Sequence, residues 1–431
     1  MITIGKPYVE ERGVSTYLIC KIIDNGNKFD IWFSVEQKYG KYLCHERCDA
    51  FLIGMLQYAM RSQQDITCAG PITEELLFGI NTQLLPALTN NSRIMYFTKI
   101  TAPTISEPAD PLERFAGVGT GCSCGVDSFH AIASNLNTEF ESMRITHLTL
   151  LNVGAFNDTY SEAGQDDVKQ AVINRATAVA KEVNLPLVLT NSNYGEVIDQ
   201  HHLFTNSFAN LFGVFCLQKL WKTYYLGSSD GYQYFSLTDN DAYDSAKYDL
   251  LTLAAVSTPS LKFYSDGGPF TRIEKTAAIL NFTPAQKHLH VCVKESYNDG
   301  TCFKCIRTIM ALDALESLDK FRKVFDVDAY IRKRPAYFEA LYQEHMSGVR
   351  SYNEATYQKL KPRIRTQFAT AGMAFEDYEP AYVKLPNEIK ELSMPGKHRV
   401  GDKYYFVQNN GELAAPGWIV SGNDKYYCLI D

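Results

Sequence analysis

Apolar and polar positions alternate along residues 15–35, "STYLICKIIDNGNKFDIWFSV", and the alternation breaks at Asn25-Gly26. This predicts two strands and a tight turn, because Asn-Gly readily takes the positive φ angles of a hairpin. The period then changes to three and four in "CDAFLIGMLQYAMRS" (48–62), which predicts a helix capped near Asp49. From about residue 115 strands and helices alternate. "ITHLTLLNV" (145–153) reads as a buried strand, and "GQDDVKQAVINRATAVAKEV" (164–183) as a helix with Val168, Val172, Ala176, Val179 and Val183 on one face. "LPLVLTNSN" (185–193) is a strand, "FANLFGVFCLQKLW" (208–221) a helix and "TYYLGSS" (223–229) a strand. Two helical stretches, "FEALYQEHMSGV" and "YNEATYQKLKPRIRTQFATAG", then precede a β-rich tail.

Strands alternating with helices predict an α/β fold: a central parallel sheet with helices on both faces over residues 115–325. Residues 1–114 are expected to form an N-terminal α+β domain and 326–431 a helical and β-rich C-terminal extension. The first boundary falls in "TISEPADPLERF" (104–115), where two prolines and several acids interrupt the pattern. In such sheets ligands bind at the carboxyl ends of the strands.

At 431 residues the chain is long enough for two or three domains, and 45% hydrophobic with 21% charged residues is ordinary globular usage. A net charge of -7 argues against general nucleic-acid binding but leaves room for a local basic groove. No apolar run reaches about 18 residues, and the first twenty lack a basic stretch followed by an apolar one. The expectation is a soluble, cytoplasmic protein without membrane partners. Its eleven cysteines then read as reduced thiols, metal ligands and core fillers.

The chemistry concentrates in "GTGCSCGVDSFHAIA" (119–133), a Gly-rich passage where a strand should turn into a helix. Backbone amides converging at a helix N-terminus, with small residues that allow close approach, suit a phosphate. Hydroxyls at Ser123 and Ser128 and the carboxylate of Asp127 add to this, while the Lys of a Walker loop and the Gly-x-Gly-x-x-Gly of dinucleotide sites are missing.

"Ser123-Cys-Gly-Val-Asp-Ser128" resembles the Ser-Gly-Gly-x-Asp-Ser loop of the PP-loop ATP pyrophosphatases, a Rossmann-like family that adenylates a substrate oxygen and releases pyrophosphate. The resemblance implies ATP held by Ser123, Cys124, Gly125, Val126, Asp127 and Ser128, with Ser123 and Asp127 catalytic and Mg2+ on Asp127. One glycine of the family pattern is Cys124 here. If that position needs positive φ, a side chain is strained there; at ordinary φ the amide donor survives unchanged.

Cys302-x-x-Cys305, with Cys292 ten residues upstream, supplies three ligands of a tetrahedral zinc site. The segment is similar to the zinc motif of cyano-deazaguanine synthase and its relatives, where Asp299 stands in place of the remaining cysteine. Asp299, His288 and His290 are the candidates for a fourth ligand. The likeness extends to "Phe270-Thr-Arg-Ile-Glu-Lys-Thr-Ala-Ala-Ile279", in which Arg272 takes the place of a family lysine. Thr271 and Glu274 are also explained as a capping box, so the functional implication falls on Arg272, and in part on Lys275, as cations near the α-phosphate.

By the same resemblance Val153, Gly154 and Phe156 would line the adenine pocket, although packing explains Val153 equally well. The strand ends Thr190–Asn193 and Gly227–Gly231 lie where ligands bind and are also ordinary polar loops. Cys44, His45 and Cys48 look like half a metal site without a second half. Together these imply an ATP-, Mg2+- and zinc-dependent ligase that activates a carboxylate or amide oxygen for an amine, with a homodimer compatible. The alternatives are a sulfur-transferring enzyme of the same fold, using Cys122, Cys124 or Cys292, and a nucleotide-binding regulatory protein without turnover.

Overall fold

The computed structural model describes residues 1–107, 109, 111–155, 165–200, 202–237, 244–348 and 351–377, and four short strands beyond 395. Asn25 (φ 48°) and Gly26 (φ 90°) both take positive φ, so the strands β3 (Ser15–Asp24) and β4 (Asn27–Glu36) pair in full antiparallel register. Around them lie β1 (Ile2–Ile4), β2 (Tyr8–Arg12), β5 (Ile66–Cys68) and β7 (Ile100–Thr101), while β6 (Ile72–Thr73) and β8 (Thr104–Ile105) form a separate pair. The second half contributes β9 (Gly117–Gly121), β10 (His147–Leu150), β11 (Leu187–Ser192), β12 (Trp221–Gly227) and β13 (Lys262–Asp266).

These last five strands are parallel and run β11-β10-β9-β12-β13 across the sheet. Counted in their own chain order this is 3-2-1-4-5, the doubly wound arrangement, whose topological switch lies between β9 and β12. The sheet does not end there. β11 pairs antiparallel with β4, Thr190 opposite Val35 and Ser192 opposite Phe33, giving one mixed sheet of eleven strands.

The wholly parallel sheet expected from the sequence is therefore extended by antiparallel strands, and the expected break at 114/115 is not a break in the structure. Met1–Val327 forms one compact unit and Asp328–Asp431 a second. The physical reason is a shared core. Phe212, on the helix His202–Cys216, stacks on Tyr194 at 5.0 Å and meets Phe51 of the helix Asp49–Arg61 and Phe33 of β4 edge-on. Dividing the chain at 115 would expose that apolar surface on both sides.

β9, "GVGTG", carries almost no apolar signal, because Gly117 and Gly119 are covered by neighbouring rings. A Cβ on Gly119 would lie 2.8 Å from both Trp221 and Tyr224 of β12. The helix expected over 208–221 ends at Cys216, and Trp221 already belongs to β12. In the second unit the helix Glu354–Thr370 follows the helix Val327–Met346, whose His345 ring stacks on Tyr357 at 3.9 Å. The tail forms two antiparallel hairpins, Gly396–Val400 with Lys403–Val407 and Gly417–Ser421 with Asp424–Cys428. No helix among the described residues is long and apolar enough to cross a membrane.

Candidate functional site

The loop after β9 leads into the helix Val126–Leu136 at the switch point of the parallel strands. Gly125 precedes the helix with extended backbone and no side chain caps it. The first-turn amides of Val126, Asp127 and Ser128 therefore lack intrahelical acceptors, as at any helix start. Ser128 braces the loop from within: its hydroxyl donates to the Gly121 carbonyl (2.7 Å) and accepts from the Ser123 amide (3.1 Å). Ser123 itself is exposed.

Cys124 has φ 62°, so this position does require the left-handed region. A side chain there costs about 1 kcal/mol relative to glycine. The thiol is nevertheless fully buried. The Cys122 thiol is pushed well above its ordinary value, first by its hydrogen bond with Cys124 and then by burial. It is a poor source of thiolate.

Asp127 is the electrostatic centre. One carboxylate oxygen accepts from Arg272 Nη1 (2.7 Å), the other from Lys275 Nζ (3.1 Å). Burial raises its pKa, but the charges of Arg272 and Lys275 outweigh this and hold the carboxyl below its usual value. Both cations come from the helix Arg272–Ala278, which Thr271 and Glu274 start with the expected capping box. They also reach the end of β12: Arg272 Nη2 donates to the Ser229 carbonyl (3.1 Å) and Lys275 to that of Ser228 (2.5 Å). Since both Asp127 oxygens are taken by cations, the Mg2+ expectation for this residue gains nothing from the geometry.

His130 and Asp266 belong to the same region, and nothing in the sequence singled them out. His130 Nδ1 lies 2.7 Å from Asp266 Oδ1, and Asn135 donates to the other oxygen at 2.7 Å. Gly267 (φ 78°) sits between this pair and Lys275; a Cβ there would lie 3.0 Å from Lys275 Cε and 3.1 Å from His130 Nδ1. Gly227 is equally confined, its Cβ position falling 3.1 Å from the Asp127 carbonyl oxygen. In the sequence only Gly227, at the end of the strand "TYYLGSS", pointed to this wall; Gly267 and the strand before it did not.

Cys292, Asp299, Cys302 and Cys305 converge, their ligand atoms all within 4.8 Å of one another. Three thiolates and a carboxylate can hold a metal such as zinc. The open choice of a fourth ligand resolves to Asp299, since His288 Nε2 meets Glu182 (3.0 Å) and His290 Nε2 meets the Glu295 carbonyl (3.0 Å). Burial raises the Asp299 pKa, but the Thr301 hydroxyl and the amides of Thr301 and Cys302 hold it far below the usual range. Asn298, missed in the sequence, fastens the segment: its Oδ1 accepts from the amides of Val291 (2.8 Å) and Cys292 (3.2 Å), and its Nδ2 donates to the carbonyls of Leu289 (2.8 Å) and Val324 (2.9 Å). The His290 amide donates to the Cys124 carbonyl at 2.9 Å, which ties the cysteine segment to the loop.

Other expected sites divide. Val153 is buried in the core, where packing accounts for its side chain, and Gly154 (φ 118°) makes a turn pressed against Gly195. Phe156 lies outside the described residues. Ser192 and Asn193 bond to the backbone of β4, at Trp32 and Asp30, and join the two halves of the sheet. Among the described residues Cys44, His45 and Cys48 form no metal-capable group. Comparison of the chain with protein-family models, curated proteins and solved structures gives no match.

Proposed function

We propose that the chain binds ATP at residues 121–128 and adenylates a carboxylate or amide oxygen, releasing pyrophosphate, with an amine then displacing AMP. The observation that carries this reading is the meeting, at the switch point of a doubly wound sheet, of an uncapped helix start with the Arg272-Asp127-Lys275 cluster. First-turn amides and two fixed cations are what a polyphosphate requires. Chemistry of this kind needs positioning and charge neutralisation more than covalent participation. The cysteine cluster, with zinc bound, would act as a brace behind the loop through His290 and Cys124. Sulfur transfer is disfavoured, because the Cys122 thiol is buried with a raised pKa and Cys292 belongs to the metal group.

The strained, non-glycine Cys124 favours a second reading, an ATP-binding protein without turnover. Pyrophosphate release from ATP, measured with a panel of carboxylates and ammonia, separates the two. Turnover that Asp127→Ala abolishes supports the ligase; turnover unchanged by Asp127→Ala removes Asp127 from its role. ATP binding with no turnover on any acceptor supports the second reading.

A further inference from the structure

His130 is a buried titratable group that adenylation leaves without a task. Its ring is 4% exposed and lies on the helix Val126–Leu136 three residues after Asp127, one turn along the same face. Nδ1 donates to Asp266 Oδ1 (2.7 Å) at the carboxyl end of β13, and Asn135 donates to the other oxygen (2.7 Å). A carboxylate can only accept, so the pair keeps the proton on Nδ1 and leaves a lone pair on Nε2. Nε2 has no partner among the described residues. Joining helix to strand does not account for the imidazole, because Asn135 already makes that link from the same helix. Nor is the ring remote from the cations. Gly267 lies between it and the Lys275 stem, its Cβ position falling 3.1 Å from Nδ1 and 3.0 Å from Lys275 Cε, and the exposed Phe270 ring lies 5.3 Å from the imidazole. His130 thus has the charged cluster on one side and a solvent-facing ring on another.

We propose that His130 is the general base of the amine-capture step, with Asp266 holding its tautomer and Asn135 holding Asp266. This rests on the ligase reading and deepens it, because the second substrate is a nitrogen nucleophile that must lose a proton as it reacts. As the amine nitrogen bonds to the activated carbon, the bond from that carbon to the AMP oxygen breaks and its electron pair leaves on AMP. One N–H proton passes to Nε2, and the imidazolium, stabilised by Asp266, later releases it to water. Asp127 cannot take this proton, since both of its oxygens accept from cations.

The test uses the full chain, with the carboxylate that gives most pyrophosphate release in the panel, and reads the two half-reactions separately. Exchange of labelled pyrophosphate into ATP reports adenylation; amide formation with ammonia reports capture. The variants are His130→Asn, whose amide can keep a bond to Asp266, and Asp266→Asn, which puts the imidazole proton on Nε2. In both, exchange is expected to stay within about twofold of the wild type while amide formation falls by about a hundredfold or more. Hydroxylamine, whose adduct is acidic enough to give its proton to water, should restore capture in both. A packing role would lower the two half-reactions together and would not respond to the nucleophile. Equal losses in exchange and capture, capture at the wild-type rate, a loss that hydroxylamine does not relieve, or a failure of both variants to fold overturns the proposal and leaves the ligase reading standing. A wild type that shows no exchange with any carboxylate overturns both.

Discussion

Cys124 shows how one dihedral angle decides between two readings of a residue. Its φ of 62° means that the side chain is carried against backbone strain, while its burial means that the thiol also contributes packing. Cys124→Ala loses packing and keeps the strain; Cys124→Gly loses slightly more packing and removes the strain. The glycine variant should therefore be the more stable by about 1 kcal/mol in urea denaturation, despite its smaller side chain. The reverse order would mean the strain is absent. Asp249 is a second case. It lies buried beside Ser207, and burial first, with the nearby charges of Asp244 and Asp230, outweighs the lowering effect of the Ser207 contact and leaves its pKa at about 7 against an ordinary 3.8. A carboxyl raised on folding contributes stability that is full below its unfolded pKa and lost as pH rises through the folded one. Asp249→Asn should flatten the loss between about pH 4 and pH 7 and leave the protein more stable at pH 8 by on the order of 2 kcal/mol. Thermal melts across that range check this; parallel wild-type and variant curves count against it.

At the scale of elements, the cysteine segment is a small folded unit whose order depends on its centre. Asn298 satisfies two amides and two carbonyls at once, and Cys302 accepts from the Cys305 amide at the start of the helix Phe303–Ala314. Asn298→Ala should cost about 3 kcal/mol, since it leaves several buried groups unpaired. Metal analysis of protein prepared without chelator should find about one zinc per chain, and less after Asp299→Ala. Zinc retained at full stoichiometry in the Asp299 variant would exclude the carboxylate as a ligand. The thiol spacing and the capping box at Thr271 and Glu274 were legible in the sequence because each is complete within a few residues. Asn298 was not, because its partners range from Leu289 to Val324.

At the scale of the molecule, β4 covers the edge of the parallel strands, and Phe33, Phe51, Tyr194 and Phe212 form one core across the expected boundary. A fragment beginning at residue 115 should therefore aggregate or remain partly unfolded, while Met1–Val327 should melt as one cooperative unit. A soluble, cooperatively melting 115–327 fragment would refute the shared core. What the sequence determined by itself was local: the hairpin at Asn25-Gly26, the alternation of strands and helices, the cap at Thr271, the cysteine spacing and the polar loop at 119–130. Periodicity and turn chemistry act over a few residues, so they can be read without the fold. The tertiary structure alone decided that the two halves share a sheet, that Cys124 is strained, that Asp299 completes the cysteine group and that Asp127 faces Arg272 and Lys275. Those outcomes depend on contacts between distant residues, such as the Ser192 hydroxyl on Trp32, 160 positions away, and no local pattern encodes which distant surfaces will meet.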